Sequence, residues 1–411
     1  IAEHPDRSQK ERGDLLGECD LIMSFLMYND IGAMSSLHRR ASGQMSRTAV
    51  SIHKSGGWTF GSPSVLMMFY RGAGELSQEL AQMDECMPYY YKITDGHGQG
   101  AEKIMRAEAD FLQGRFADAQ IELESAYAQI KGNGQENMTL CCDFLMLRLS
   151  LFTDTGPGYA FERRRKELLQ HHNAAWINIF NAACAYYYAL RGEEKKIPEI
   201  FRDHRLSEVN LLAPGKPMIE MIENQVYLAQ GDYAKVIGRS ESLLSMCQAM
   251  NYALVALHLK IQTAAAYGRL ERYEEAGEFL KQAIGEAKPD QFFLPFAENY
   301  RYLKELLRDA DRKDRSFVER IVQTGEALER QLKKEQNQKT RPSRFAALTE
   351  REYEIAGLAA MRLSNREIAE KLFLSEGSVK QYINQIYSKL GIEGDVRTKR
   401  GQLQILVKEN P

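Results

Sequence analysis

Apolar residues recur along almost the whole chain at the three- and four-residue spacing that places them on one face of a helix. The alternation of apolar and polar positions that is typical of strands is not sustained in any segment. The pattern therefore predicts an all-α protein. At 411 residues the chain is longer than one typical domain, so we expect at least two domains.

A motif of turn and helix residues recurs at a spacing of about 39 residues, which is typical of helical repeat proteins. Residues 112–119 (LQGRFADA) are echoed by residues 228–234 (LAQGDYA), by residues 267–276 (YGRLERYEEA) and more weakly by residues 190–192 (LRG). Glycine permits the left-handed conformation that ends a first helix, and the following aromatic residue packs back between helices. One helix pair cannot bury its apolar face alone, so the pattern predicts a solenoid of stacked helical hairpins.

The predicted helix pairs cover most of the chain before the C-terminal region. They lie near residues 101–131, 135–171, 173–205, 217–249 and 252–287, with less regular pairs near 10–50 and 62–92; Gly-Pro-Gly at 156–158 is expected as a turn. One more helix is expected to end near Glu335, followed by a polar, proline-containing linker. We therefore expect a repeat domain at 1–335, a linker at 336–344 and a second domain at 345–411.

Helix-start signals and one tight break follow each other between residues 348 and 390. Thr349 and Glu352 have the spacing of a capping box, and Ser364 and Glu367 repeat it. A break at residues 373–375 separates the second helix from a longer third helix at 376–390. Two short helices, a tight turn and a longer third helix predict a helix-turn-helix.

The third helix has two distinct faces. The apolar face, predicted to be buried, consists of Val379, Ile383, Ile386 and Leu390, and a second face consists of Gln381, Asn384, Gln385 and Ser388. Amides both donate and accept hydrogen bonds, as base edges in the major groove require, and Lys380 can meet a guanine edge or a phosphate. Ser375 and Ser378 lie at the helix N-terminus, where a phosphate is favoured. A solvated polar face on a small helical domain would explain the same pattern.

The C-terminal region resembles the LuxR-type (GerE-like) DNA-binding domain. The resemblance rests on LT-x-RE at 348–352, SN-x-EIA-x-x-L at 364–372, SE-x-SVK at 375–380 and IY-x-KLG at 386–391. It implies that the third helix reads double-stranded DNA, with Lys380, Gln381 and Asn384 facing the bases. Two features depart from the family: Tyr382 stands where the family often has His, and the last helix, 395–408, is polar. The family often dimerises through that helix, which here carries Arg397, Lys399 and Arg400.

The resemblance also implies a function, which is transcription regulation, and a partner, which is RNA polymerase. The complete set of predicted DNA-binding residues is Lys380, Gln381, Asn384, Ser375, Ser378, Gln385, Ser388, Lys389 and Tyr382.

The repeats resemble a tetratricopeptide-like array, and more closely the helical repeats of the MalT-like class of LuxR-type regulators. That class carries an ATP-binding STAND module ahead of its repeats. The chain contains no Gly-x-x-x-x-Gly-Lys-Ser/Thr motif, and it begins with Ile1. We therefore expect a C-terminal fragment of a longer regulator.

The charge is nearly balanced, with a formal net value of −2. Residues 341–411 contain 12 Lys and Arg against 9 Asp and Glu, a net charge of +3, so the remainder carries −5. This is weakly basic for a DNA-binding domain, so we expect strong binding to need two domains on one site or a partner. The six cysteines show no C-x-x-C pair and are expected to be buried hydrophobic residues in a reducing cytoplasm.

Several other groups of residues each allow more than one interpretation. The glycine-rich segment 96–100 fits a phosphate-binding helix start, a loop that seats a ligand, or a plain connection. The tyrosine trios 89–91 and 186–188 fit a binding groove, although at least one member of each is expected in the core. The adjacent histidines His171 and His172 are more consistent with exposed loop residues than with metal ligands. The basic run 163–166 fits a contact with DNA or protein, or a solvated face.

These observations lead to two hypotheses of different classes. In the first, the repeat domain senses a small molecule or protein and controls promoter binding by the C-terminal domain, with self-association bringing domains onto adjacent half-sites. In the second, the chain is a protein-interaction scaffold and the DNA-binding domain serves as a localiser. We expect no enzyme activity, cofactor, metal site or membrane association of this chain, because neither a catalytic arrangement nor a segment of membrane-spanning length stands out.

Overall fold

The computed structural model describes residues 6–53, 56–131, 134–153, 161–309, 314–339, 345 and 347–408. Throughout these ranges the regular elements are helices, and no strand occurs. The all-α prediction is therefore confirmed. The chain divides into two compact units, residues 1–329 and 330–411, which are described separately.

Helices of very different length make up the first unit. They are α1 (Gln9–Ser24), α2 (Ile31–Gln44), α3 (Leu66–Phe69), α4 (Leu76–Ile93), α5 (Ala101–Leu112), α6 (Phe116–Ile130), α7 (Glu136–Leu149), α8 (Phe161–Gln170), α9 (Ala174–Arg191), α10 (Glu199–Arg202), α11 (Lys216–Gln230), α12 (Tyr233–Met250), α13 (Ala253–Arg269), α14 (Tyr273–Ala287), α15 (Leu294–Glu298) and α16 (Tyr300–Leu303). Single 3₁₀ turns lie at Phe25–Met27, Glu194–Lys196, Leu206–Glu208 and Leu306–Asp309.

Consecutive helices pack against each other where the repeat motif is clearest. Helix α5 packs on α6, α11 on α12, α12 on α13, and α13 on α14. Gly114 and Gly231 have φ values of 72° and 82°, so they provide the left-handed turns expected between the first two of these pairs. In the third motif Gly268 lies inside α13, and Glu271, with φ 61°, takes the left-handed position instead. The extra two residues of that motif move the turn beyond the glycine.

Two of the expected pairs are not pairs of full helices. In the segment 62–92, α3 has only four residues, and only α4 is long. In the segment 173–205, α9 is followed by a 3₁₀ turn and by α10, which begins after Pro198. Proline lacks the backbone N–H that a continuing helix needs, so Pro198 prevents the 3₁₀ turn and α10 from forming one continuous helix. The turn expected at 156–158 lies outside the described residues.

A fully buried ion pair holds distant parts of the first unit together. The Arg148 guanidinium on α7 donates two hydrogen bonds of 2.9 Å to the Glu298 carboxylate on α15. The Tyr186 hydroxyl on α9 donates a third, also 2.9 Å, to the same carboxylate. Burial alone would lower the pKa of Arg148, but the charge of Glu298, the hydrogen bonds to it and the nearby Tyr186 and Glu108 together outweigh burial and raise this pKa. The three helices are thereby joined across 150 residues of chain.

The second unit is a small helical domain that follows α17 (Arg315–Lys339), the helix on which the boundary falls. Its helices are α18 (Glu350–Ala360), α19 (Asn365–Leu372), α20 (Glu376–Lys389) and α21 (Val396–Lys408). Helix α18 packs against the other three, and its Ile355 lies in a core with Ile368, Val379, Ile386 and Leu403, each 0% exposed. Helix α17 continues four residues past Glu335, and residues 340–344 of the expected linker lie outside the described residues.

Candidate nucleic-acid interface

Side chains at their first turns explain where helices α18 and α19 begin. Thr349 Oγ1 accepts from Glu352 N at 3.2 Å, and Glu352 Oε2 accepts from Thr349 N at 2.7 Å. Ser364 and Glu367 repeat this reciprocal arrangement at the start of α19. Both predicted capping boxes are thus confirmed. Hydrogen bonds from Ser364 lower the pKa of Glu367, so this carboxylate is held in the charged form that the cap requires.

The turn between α19 and α20 is tight because one residue adopts the left-handed conformation. Phe373 has φ 54° and ψ 44°, and Leu374 N donates to Ala369 O at 2.9 Å. This hydrogen bond closes the end of α19 one residue before the new N-cap, Ser375. The predicted break at 373–375 is confirmed. The sequence did not predict that the Phe373 side chain would be 96% exposed.

Helix α20 presents the two faces that its sequence pattern predicts. Val379, Ile383 and Ile386 are buried in the domain core, and Tyr387 is buried beside them. Leu390, the fourth residue predicted to be buried, is only half-buried and packs against this core. The exposed face contains Lys380, Gln381, Asn384, Gln385 and Ser388. Because these five side chains share one exposed side, the helix offers a row of amides, a hydroxyl and a cation to solvent.

The other predicted DNA-binding residues lie at the ends or edge of α20. Ser375 is exposed and accepts a 3.0 Å hydrogen bond from Ser378 N, while the two hydroxyl oxygens are 2.8 Å apart. Tyr382 is half-buried and packs against the domain core. Lys389 is exposed, but its Nζ lies 2.7 Å from Glu352 Oε2. Lys389 is therefore held against α18, whereas the five residues of the exposed face are not buried.

The cationic side chains around α20 differ in whether they already have a partner within the domain. Arg351 donates to Glu354 at 2.8 Å and to Leu372 O at 2.7 Å, so it fixes α18 to the end of α19. Among the described residues, Lys371 and Lys380 have no carboxylate within ion-pair distance, and both are exposed. Lys371 was not singled out by the sequence analysis, because a single lysine on a polar helix face carries no distinctive signal.

Arg400 of α21 holds this helix against the start of α19. Arg400 donates to Asn365 Oδ1 at 3.3 Å and to Leu363 O. Lys399 Nζ lies 5.9 Å from the centre of the Tyr387 ring. The Arg397 side chain lies outside the described residues. Arg400, which sequence reasoning noted only as part of a polar last helix, thus has a structural role within the domain.

Several other sequence features have defined places in the first unit. Tyr90 and Tyr186 are core residues, as expected for one member of each trio. Arg164 of the basic run lies between Asp143 and Glu136, so it is not a solvated charge. Cysteine burial is confirmed for five of the six residues, but Cys19 is exposed, contrary to the prediction.

Residues 346–399 match the family model described as bacterial regulatory proteins, luxR family. These bounds run from just before α18 into the first turn of α21, so the match includes the whole of α20. The C-terminal unit contains a luxR-family helix-turn-helix domain. The resemblance found in the sequence is confirmed for this domain.

Curated relatives of the luxR-family domain include bacterial regulators. The transcriptional regulatory protein LnrK of Bacillus subtilis is 44% identical over 56 residues, which are 14% of this chain and 26% of LnrK. The DNA-binding transcriptional activator DevR/DosR of Mycobacterium tuberculosis is 40% identical over 49 residues, 12% of this chain and 23% of that protein. The putative HTH-type transcriptional regulator Rv0890c of the same species is 32% identical over 97 residues, 23% of this chain and 11% of its own length. The chain thus spans about a quarter or less of the relatives' length.

Within the described residues, no group of three or more His, Cys, Asp or Glu is placed to hold a metal ion. None of the helices in the same ranges is both long enough and apolar enough to cross a membrane.

Proposed function

We propose that this protein is a DNA-binding transcription regulator whose luxR-family domain inserts α20 into the major groove. The observation that carries the proposal is the exposed row of Lys380, Gln381, Asn384, Gln385 and Ser388 on a helix whose opposite face is the domain core. Such a helix is rigidly positioned by its buried face. Its free side offers the paired donors and acceptors that distinguish base edges.

The residues of the interface divide by role. Lys380, Gln381 and Asn384 contact base edges, because they lie in the second and third turns of α20, toward the N-terminal end with which a recognition helix contacts bases. Gln385 and Ser388 contribute further along the same face. The remaining predicted residues act on the sugar–phosphate backbone or support the helix: Ser375 and Ser378 at the N-terminus, and Tyr382 and Lys389 at the edge. Lys371 adds a second cation near the phosphates.

Affinity in this proposal depends on self-association. The net charge of +3 in residues 341–411 provides little counterion release, so one domain alone binds DNA weakly. Two tethered domains on adjacent half-sites raise affinity through effective concentration. We therefore propose that the first unit, as a tetratricopeptide-like and MalT-like sensor, controls this association in response to a small molecule or protein, and that RNA polymerase is the downstream partner.

The resemblance to LuxR-type regulators also leads us to propose a cellular location and the absence of an enzymatic role. The protein acts in the cytoplasm and has no enzymatic role of its own in this chain. Support comes from the names of the relatives, which are transcription regulators, and from the paired helices α5–α6, α11–α12 and α13–α14.

The test is sequence-selective DNA binding by the 411-residue chain. Random duplexes enriched in vitro by the chain would supply the site, and fluorescence anisotropy would then measure affinity for it. Lys380→Ala and Asn384→Ala should each cost about 1–3 kcal/mol and relax base preference at the contacted positions.

The matched controls lie on α14, where Lys281 and Gln282 are adjacent exposed residues, a lysine like Lys380 and a side-chain amide like Asn384. Lys281→Ala and Gln282→Ala should leave binding unchanged. If the chain enriches no particular sequence from the random duplexes, the regulator proposal fails and the scaffold hypothesis is favoured. If binding is selective but unaffected by the α20 variants, another surface reads the DNA.

A further inference from the structure

The helices at the start of the first unit enclose a cavity of about 440 Å³. Helix α2, the 3₁₀ turn before it, and α4 supply part of its wall, and residues 57, 58, 60, 68, 69 and 97 supply most of the rest. This volume lies in the range of about 300–1,000 Å³ that small-molecule pockets occupy. A well-packed interior leaves few voids larger than a water molecule, so a space of this size is a feature that requires an explanation.

The lining of the cavity is apolar, adaptable and free of formal charge. Four methionines contribute to it: Met34, Met68, Met83 and Met87. The Trp58 and Phe69 rings, with centroids 5.2 Å apart, add an aromatic wall. No Asp, Glu, Lys or Arg is among the described lining residues. A charged ligand would lose its hydration here without gaining a counter-ion, so the lining selects against it. Methionine side chains adapt to irregular apolar shapes.

His38 is the first of two polar lining groups whose hydrogen bonds are already used. The Ser24 hydroxyl donates to Leu21 O at 2.6 Å, so it accepts from His38 Nε2, which lies 2.8 Å away. The other ring nitrogen, Nδ1, then accepts from the Cys86 thiol at 3.2 Å. Burial lowers the pKa of His38 to about 4. The imidazole is therefore neutral at pH 7 and presents no charge to a ligand.

His97, on another part of the wall, also has both of its ring nitrogens in hydrogen bonds. Its Nε2 donates to Gly56 O at 3.1 Å, because a carbonyl oxygen can only accept, and its Nδ1 accepts from the Tyr90 hydroxyl at 2.7 Å. Burial lowers the pKa of His97 also. The next residue, Gly98, has φ 73°, and a Cβ there would overlap the Trp58 indole. The glycine-rich segment thus positions two cavity-lining side chains, His97 and Trp58.

The mouth of the cavity is exposed and strained. Leu26 and Tyr28 line it, although 62% and 53% of their surfaces remain open to solvent. Tyr28 has φ 54° and ψ −104°, and Phe60, another lining residue, has φ 50°. Such conformations are costly for aromatic residues and cluster at ligand-binding sites. An exposed side chain and a strained backbone therefore coincide at Tyr28.

We propose that this cavity binds a small, uncharged, predominantly apolar molecule, a ligand class that neither the luxR-family match nor the relatives assign. Binding itself does not depend on the function proposed above. Only its consequence, that occupancy controls promoter binding as the inducer signal, rests on that function.

The test uses the neutral fluorescent probe N-phenyl-1-naphthylamine and the 411-residue chain without DNA. Trp58 and Trp176 are the two tryptophans, so Trp176→Phe leaves Trp58 as the single donor for energy transfer. We expect one saturable site per chain and a fall in Trp58 emission as the probe binds. The anionic analogue 8-anilinonaphthalene-1-sulfonate should bind at least about tenfold more weakly, because the lining offers no counter-charge.

Two variants and one control make the test specific. Leu26→Glu places a charge at the mouth on an already exposed position, and Met34→Trp fills the interior; each should weaken probe binding, measured for these variants by the directly excited emission of the probe, at least about tenfold. Ile121→Glu on α6, where Ile121 is 64% exposed, is the matched control and should bind like the parent. Circular dichroism would verify that the variants fold.

The proposal is overturned if probe binding does not saturate, if the sulfonate binds as tightly, or if folded Leu26→Glu and Met34→Trp chains both retain parental affinity. Because the assay contains no DNA, these outcomes are independent of whether α20 reads a promoter.

Discussion

Lys389, the last residue of α20, forms an ion pair with Glu352, the glutamate of the α18 capping box, with 2.7 Å between Nζ and Oε2. Glu352 is 3% exposed, and burial alone would raise its pKa. Hydrogen bonds from Lys389 and Thr349 outweigh this effect, so the pKa of Glu352 lies below its usual value. Helix α20 is thereby fastened to the start of α18.

This pair predicts that the two lysines of α20 have different roles. Lys389→Met should reduce the stability of the luxR-family domain by about 1 kcal/mol, because it leaves a buried carboxylate with one partner fewer and the lysine is partly solvated. Lys380→Ala should leave stability unchanged and weaken DNA binding. Hydrogen–deuterium exchange of residues 350–408 in the intact chain measures the first effect, and anisotropy measures the second. Equal effects of both variants on DNA binding, without a change in exchange, would contradict the assignment.

Phe373 predicts a stabilising substitution. Its φ of 54° is unfavourable for a side chain with a Cβ, and its ring, 96% exposed, gains little from packing. Phe373→Gly should therefore stabilise the domain by about 0.5–1 kcal/mol, since glycine is preferred at a left-handed helix end. Slower exchange in residues 365–389 would report it. Phe373→Ala is the control, because it removes the ring but keeps the strained backbone, and it should not stabilise.

The sequence predicted those parts of the domain that depend on neighbouring residues. The capping boxes, the break at 373–375 and the two faces of α20 follow from side chains within one or two helical turns of each other. The pair of Lys389 with Glu352 joins residues 37 positions apart, which no local pattern encodes. The left-handed Phe373 was also missed, because glycine is the usual signal for that conformation.

The first unit shows the same limit more strongly. The turns at Gly114 and Gly231 were predicted because glycine has a direct conformational effect there. The cavity was not predicted, because its wall combines residues from 25 to 214 in the chain. The glycine-rich segment 96–100 was recognised, but its role in positioning Trp58 becomes evident only when the two segments are seen in contact.

Burial of His38 predicts a dependence of stability on pH. Its pKa falls from 6.5 in the unfolded chain to about 4 in the native protein, so between these values the unfolded state binds more protons. Above pH 6.5 the neutral His38 does not lower the free energy of unfolding. As the pH falls from 7 to 5, protonation of His38 in the unfolded state lowers the free energy of unfolding by about 2 kcal/mol. His38→Gln should therefore lose about 2 kcal/mol less than the parent over this interval.

Urea unfolding followed by tryptophan fluorescence is the appropriate measurement, because both tryptophans lie in the first unit. Burial also raises the pKa of Glu79, Glu108 and Glu223 to about 7, which has the opposite effect on stability. The prediction is therefore the difference between parent and variant and not the slope of either alone. Parallel profiles from pH 7 to pH 5 would show that His38 is protonated equally in both states.

The buried pair of Arg148 and Glu298 predicts the largest loss of stability. Glu298→Gln removes the charge that compensates the guanidinium, which is 3% exposed, and weakens the acceptor of the Tyr186 hydroxyl. Leaving a buried charge uncompensated costs about 3–5 kcal/mol. Urea unfolding with tryptophan detection should show this loss in the transition of the first unit. The double variant Arg148→Met/Glu298→Met should be more stable than Glu298→Gln, because it removes both charges and replaces them with apolar side chains. If the double variant is instead the less stable, the geometry of the three-helix junction contributes more than charge compensation, and the pair serves mainly to fix α7, α9 and α15 in register.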